Sequence, residues 1–298
     1  VVTALIDEFT EDMKLKKYAQ MTIISYRANL MRFTYFLDEN NITDARDVGL
    51  DDLNNYKKYM LEGGKKYSPE TVHLRLSAVK RFFEYLERSN HLLINPSENL
   101  LLPKLGSRLP KNILTQEEVK TLLAGPNTGF KTGIRDRAIL EVLYSVGLRL
   151  NECVNLQVYD VDTDGGNLRI NKGKGNKDRI IPLGKSACRW VKEYLTHVRP
   201  KFDKKDERSL WLGQKGDKIN PMWLNKILNK YAQTSGIKKR VTVHTFRRTF
   251  ATHMLECGAN PFYIQKILGH ANSSTLNKYI KLVPKDLKRS HKKHHPRG

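Results

Sequence analysis

The stretch that decides the fold runs from Val243 to Tyr279, VHTFRRTFATHMLECGANPFYIQKILGHANSSTLNKY. Its punctuation predicts three helices. The first opens at His244-Thr245-Phe246-Arg247-Arg248 and runs to Gly258, a residue suited to stopping a helix. Asn260-Pro261 is a start signal, a capping side chain followed by proline in the first turn, and Gly269 ends that second helix with His270 directly after it on a turn. Ser274 then caps a short helix, Thr275 to about Ile280, that carries Tyr279. His244 and Arg247 are three residues apart and share a face near a helix N-terminus, while Phe246 and Phe250 point into a core. A helix start attracts anions through its free N–H groups, and an arginine and a histidine there add donors for phosphate oxygens.

The rest of the chain suits an anionic partner. Among 298 residues, 53 Lys and Arg stand against 31 Asp and Glu, a net charge of +22. That excess points to a polyanion, and its spread along the chain favours nucleic acid over a membrane surface. The 39% hydrophobic and 9% aromatic composition is enough to fill real cores, against wholesale disorder. No apolar run reaches the ~18 residues of a membrane span. Val1 to Glu8 has no basic patch leading into an apolar core, so no signal peptide is expected and a cytoplasmic location is. Cys153, Cys188 and Cys257 are odd in number and far apart, which excludes a disulfide framework and a CxxC metal knuckle. His244, His253 and Cys257 lack zinc spacing, and no paired carboxylates lie near them for magnesium. No metal and no cofactor is expected.

Outward from the decisive stretch, the pattern divides the chain in two. The first hundred residues read as helices. Ile24, Ala28, Met31 and Tyr35 fall on one helical face, and Leu53, Tyr56 and Met60 continue until Gly63-Gly64. Ser68-Pro69-Glu70 starts a helix whose stripe is Val72, Leu76, Val79, Phe83 and Leu86, with Arg75, Lys80 and Arg81 on other faces, either solvated or on nucleic acid. Pro96, Pro103 and Pro110 then break the pattern into an extended connector. Helix resumes at the capping box Thr115-Gln116-Glu117-Glu118. A helix ending near Gly147 precedes a hairpin, Leu168-Arg169-Ile170 and Arg179-Ile180-Ile181 around the turn Lys172 to Asp178, and from Trp190 onward the chain is mostly helical again. The expected domains are 1–102, a linker at 103–112, and 113–298 with a basic tail at 282–298.

Taken singly, these histidines, arginines and tyrosines are weak evidence. Taken in order they are specific. Gly147-Leu148-Arg149-Leu150-Asn151-Glu152, then Gly173-Lys174-Gly175-Asn176-Lys177, then His244-x-x-Arg247, then Leu268-Gly269-His270, then Tyr279 nine residues on, resemble the motif series of the tyrosine recombinases, the integrase family. The resemblance is strong over 113–298 and fair over the N-terminal helices. The tail His291-Lys292-Lys293-His294-His295-Pro296-Arg297 resembles the C-terminus of the bacterial Xer branch. There is one departure: many members carry histidine after the second arginine, where this chain has Arg248.

The resemblance implies a mainly α fold with a small β-sheet or hairpin, in two domains: a helical core-binding domain and a mixed α/β catalytic domain. It implies strand exchange through a 3′-phosphotyrosyl intermediate at a double-stranded DNA recombination site, without metal or ATP, in a homo-tetrameric synapse that a second recombinase can share. The task would be dimer resolution, transposon or plasmid resolution, or integration. Tyr279 would be the nucleophile, His244 the base, Arg149 and Arg247 the clamp on the phosphate, His270 a further donor, and Lys174 the acid for the leaving oxygen, with Glu152 orienting its neighbours. Lys172 shares the strand face of Lys174, so the choice of Lys174 rests on the motif match. Two other readings compete: relaxation of DNA as in the type IB topoisomerases, which use a similar residue set, and a catalytically silent DNA-binding protein.

Overall fold

The computed structural model describes residues 2–64, 66–105, 112–171, 178–204 and 207–269. The chain forms two compact units, Val1–Ser107 and Arg108–Gly298.

The first unit is helical: α1 (Val2–Leu15), α2 (Gln20–Glu39), α3 (Leu50–Glu62) and α4 (Pro69–Arg88). The start of α4 is set as expected, with the Ser68 hydroxyl accepting from the Thr71 N–H and proline in the first turn. Its stripe of Val72, Leu76, Val79, Phe83 and Leu86 is fully buried and meets Leu53, Tyr56 and Met60 of α3, whose end Gly63 caps. The expected face of α2 is wrong. Ile24, Ala28 and Tyr35 are exposed, and Ile23, Leu30, Phe33 and Leu37 are buried instead. Both sets have helical spacing. The buried one wins because Phe33 meets Tyr56 at 5.0 Å and Phe83 at 6.2 Å, a ring cluster the other face cannot reach. Arg75 is also corrected, being buried with its guanidinium 3.9 Å above the Tyr67 ring. Lys80 donates to the carbonyls of Glu98 and Leu100, and Arg81 to the Tyr18 hydroxyl, so both hold the first unit together.

The second unit begins with α5 (Gln116–Ala124), whose capping box is present: the Thr115 hydroxyl accepts from Glu118 N–H and the Glu118 carboxylate from Thr115 N–H. There follow α6 (Lys131–Val146) and the short α7 (Leu150–Val154). Strands β1 (Val161–Asp162), β2 (Asn167–Ile170) and β3 (Arg179–Pro182) form an antiparallel sheet in that order, with Leu168 opposite Ile181 and Ile170 opposite Arg179. The hairpin was expected. Strand β1 was not, because two residues are too few for alternation to show.

Helix α8 (Lys185–Glu193) continues through one π-helical turn into α9 (Arg199–Phe202). Before α10 (Pro221–Thr234), the described residues 207–220 hold no helix; they carry fully buried Leu210, Trp211 and Leu212 and are bridged to the chain at Gln157–Ser209. Then come α11 (Val243–Glu256) and α12 (Pro261–Leu268), both within a residue or two of the expected bounds. Helices α6, α8, α10 and α11 enclose the core around Leu140, Leu143, Val191, Trp211, Leu224 and Phe246.

Candidate active site

The site grows from two left-handed glycines. Gly147 ends α6 with φ +60°, and a β-carbon there would stand 2.8 Å from the Phe250 ring, so the tight turn into α7 needs glycine. Two residues on, Arg149 is the N-cap of α7. Glu152 accepts from it twice, Oε2 from the backbone N–H at 2.8 Å and Oε1 from Nη1 at 2.8 Å. The side chain that caps the helix start is therefore the one that aims the first arginine.

Helix α11 supplies the next two groups. Thr242 caps it, its hydroxyl accepting from Thr245 N–H, and Phe246 and Phe250 bury as expected. Arg247 is also buried, donating from Nη1 to the Gly147 carbonyl at 2.8 Å and from Nη2 to the Leu268 carbonyl at 2.7 Å. One turn earlier, His244 is partly open to solvent. Partial burial, then the charges of Arg247, Arg248 and Arg149, hold its imidazole below the usual histidine value. Those three arginines thus stand close enough to His244 to act on its proton.

Helix α12 ends against the same group. Gly269 caps it at φ +62°. The last carbonyls of the helix, which have no partner within it, each accept from a different arginine: Ile267 from Arg179 Nε at 3.0 Å, Leu268 from Arg247 Nη2 at 2.7 Å, and Gly269 from Arg149 Nη2 at 2.8 Å. Three cations at the negative end of a helix dipole fix where the chain leaves toward position 270.

Of the expected site residues, Arg149, His244 and Arg247 are brought together. Lys174, His270 and Tyr279 lie outside the described residues, as do Lys172 and the tail 282–298. Glu152 lies between Arg149 and Arg179 and accepts hydrogen bonds from both. Burial raises its carboxyl, but hydrogen bonds from Arg179 and from Arg149 outweigh that and hold it below the usual value. Arg179 joins this group through Glu152 and the Ile267 carbonyl, and sequence reasoning did not single it out. A signal was present: Arg179 shares a strand face with buried Ile181, while Ile180 between them is exposed.

His253, weighed as a metal ligand, is committed elsewhere. Its Nε2 faces the Leu114 carbonyl at 2.9 Å and so carries the proton, and its Nδ1 accepts from the Tyr144 hydroxyl at 3.0 Å. Among the described residues no group of three or more His, Cys, Asp or Glu is placed to hold a metal ion, and no helix is long and apolar enough to cross a membrane.

A helical unit followed by a mainly helical unit with a three-stranded antiparallel sheet, ordered in sequence as described, is the architecture of the tyrosine recombinases. The chain belongs to that family: residues 112–285 match the phage integrase family and residues 6–90 its N-terminal SAM-like domain. Within it the chain is similar to Xer-type members. It is 33% identical to tyrosine recombinase XerC 2 of Ralstonia nicotianae, over 99% of this chain and 86% of that protein. It is 35% identical to XerD of Pseudomonas putida, over 99% and 98%. Among solved structures, XerA recombinase matches at 28% identity over the whole of both chains with a TM-score of 0.56. XerH bound to palindromic difH substrate shares the fold, with a TM-score of 0.76 at 21% identity over 97% of this chain and 83% of that one.

Proposed function

We propose that the chain is a site-specific DNA recombinase that cuts and rejoins strands through a covalent 3′-phosphotyrosyl intermediate, needing neither metal nor ATP. The observation that carries the reading is that Arg149 and Arg247 both bind the end of α12, one residue before His270, with their charges reaching His244. In this reading residues 1–102 bind DNA, 103–112 link, and 113–298 catalyse.

A phenol with pKa ~10 is a poor nucleophile at neutral pH. His244, whose imidazole is held below the usual histidine value by partial burial and then by its arginine neighbours, takes the Tyr279 proton as the phenolic oxygen bonds to phosphorus. Arg149 and Arg247 stabilise the charge that builds on the nonbridging oxygens, and His270 donates one further hydrogen bond. The bond to the 5′-oxygen breaks, and Lys174 gives that oxygen its proton. The phosphotyrosyl bond keeps the energy for rejoining when a second 5′-hydroxyl attacks. Two sites are paired by four protomers, all copies of this chain or half of them a second recombinase. The setting is the compartment that holds the DNA, the cytoplasm of a bacterial cell.

The test uses labelled duplexes with randomised arms, nicked just beyond the scissile position so that the freed end diffuses away. Incubated in chelator without nucleotide, the protein is expected to form an adduct that survives denaturation, and Tyr279→Phe to form none while binding DNA as before. Adducts from Tyr279→Phe would move the nucleophile. Binding without adducts from the unaltered chain would favour the silent DNA-binding alternative.

A further inference from the structure

We infer that Arg179 is a positioning residue for strand cleavage, holding Glu152 and the end of α12 in one frame so that Arg149 and His270 act on the same phosphate. This rests on the recombinase reading above.

The guanidinium of Arg179 makes three contacts with two distant parts of the chain. Nη1 and Nη2 donate to the two oxygens of Glu152 at 3.0 Å each, and Nε donates to the Ile267 carbonyl at 3.0 Å. A planar fork does this in one rigid piece, which a lysine ammonium cannot. Glu152 in turn holds both the backbone and the side chain of Arg149. Arg179 therefore does not touch the phosphate in this reading; it acts through Glu152 and through the helix end.

Its place in the sheet gives the fork a rigid base. Arg179 is paired with Ile170 across the β2–β3 ladder, next to buried Ile181. Its side chain is 15% exposed and that of Glu152 7%. A pair this buried, if it served stability alone, would gain little over an apolar pair, since desolvation offsets most of the attraction. A role in fixing geometry accounts for both the charges and their partners. Gly269 completes the frame: a β-carbon at that position would stand 3.0 Å from Cζ and from Nη1 of Arg179, so the guanidinium is packed directly on the residue before His270.

The test measures single-turnover cleavage of the nicked duplex at saturating protein, with DNA affinity and melting temperature beside it. Arg179→Gln is expected to cleave about tenfold to a hundredfold slower per folded molecule, the scale of a small misplacement of reacting groups, with affinity little changed and melting lowered by the lost partner of Glu152. Arg179→Lys keeps the charge without the fork, remains slow, and stands in if the glutamine variant fails to fold. In a Glu152→Gln background the added Arg179→Gln is expected to cost less than about threefold, because the two act as one unit. A wild-type cleavage rate in either Arg179 variant would overturn the inference. So would losses in rate, affinity and melting that run together and add to those of Glu152→Gln, the pattern of a plain structural prop. If the unaltered protein forms no adduct, the recombinase reading fails first, and the two failures are told apart.

Discussion

The Arg179 guanidinium packs against Gly269 so closely that a β-carbon there would stand 3.0 Å from its Cζ. The contact joins a strand that leaves the hairpin to the residue that precedes His270, across 90 positions of sequence. Gly269 thus serves twice, once because φ is +62° and once because a β-carbon would force the guanidinium to shift.

Gly269→Ala separates these two demands when compared with Gly236→Ala. Both positions have positive φ, +62° and +73°, but Gly236 has open space where a methyl would go. Each substitution is expected to cost about 1–2 kcal/mol from left-handed backbone strain. Only Gly269→Ala also displaces Arg179, so only it should slow cleavage by more than the loss of folded protein explains. Melting curves and single-turnover rates of the two variants check this; equal rates in both would separate the contact from catalysis.

The pH dependence of cleavage should report His244. Its imidazole is held below the usual value by partial burial and by Arg247, Arg248 and Arg149. A base must be unprotonated, so the rate is expected to fall only as pH drops through that lowered value, below the ordinary ~6.5 of histidine. Arg248→Ala removes one of the charges, so protonation becomes easier and the acid limb should move to higher pH. An unmoved limb would assign the acid limb to another group.

How much of this could be read beforehand follows from the range of each signal. Ser68-Pro69, Thr115 to Glu118, Gly147 and Gly269 act over three or four residues, and each sets an element boundary where it was expected. The stripe on α4 was legible because it recurs at steps of four and three along the whole helix, although Phe82 and Tyr85 beside it are buried as well. The face of α2 was not, because two apolar sets have the same period and the choice is made by the rings of Tyr56 and Phe83. Arg149, His244 and Arg247 were legible from motif order. The role of Arg179 was not, since its partners lie 27 and 88 residues away.

His253 pins the entry of the second unit to α11. It donates to the Leu114 carbonyl and accepts from Tyr144, while the Leu114 N–H donates to the Thr249 hydroxyl. His253→Leu leaves the carbonyl and the hydroxyl short of partners, at about 1–3 kcal/mol for each group that stays dry. Thermal unfolding should show the loss, with the cleavage rate of the remaining folded protein unchanged. A rate loss without destabilisation would place His253 in the chemistry.

Lys174, assigned from its motif, is testable by chemistry alone. If it protonates the leaving oxygen, Lys174→Ala should be slow on an ordinary duplex and fast on one whose bridging 5′-oxygen is replaced by sulfur, which leaves without a proton. Rescue of Lys172→Ala in place of Lys174→Ala would move the role two residues upstream.

The tail bears on assembly. Beyond Tyr279, residues 281–298 carry seven Lys and Arg against the single acid Asp286, and Leu282, Val283 and Leu287 give the segment around Pro284 a small apolar side. Donation of the tail would bury that apolar side in a groove. If a neighbouring protomer supplies that groove, head-to-tail donation closes into a ring when the rotation permits. A plain basic end would instead add only nonspecific affinity, felt on every DNA and lost with salt. Deleting the chain after Lys281 distinguishes the two. Donation predicts that folding and single-site binding survive while pairing of two sites and recombination fall, measured by gel mobility of the paired complex and by product yield. A truncated chain that pairs and recombines as well as the full one, with weaker binding to all DNA, would leave the tail a simple electrostatic aid.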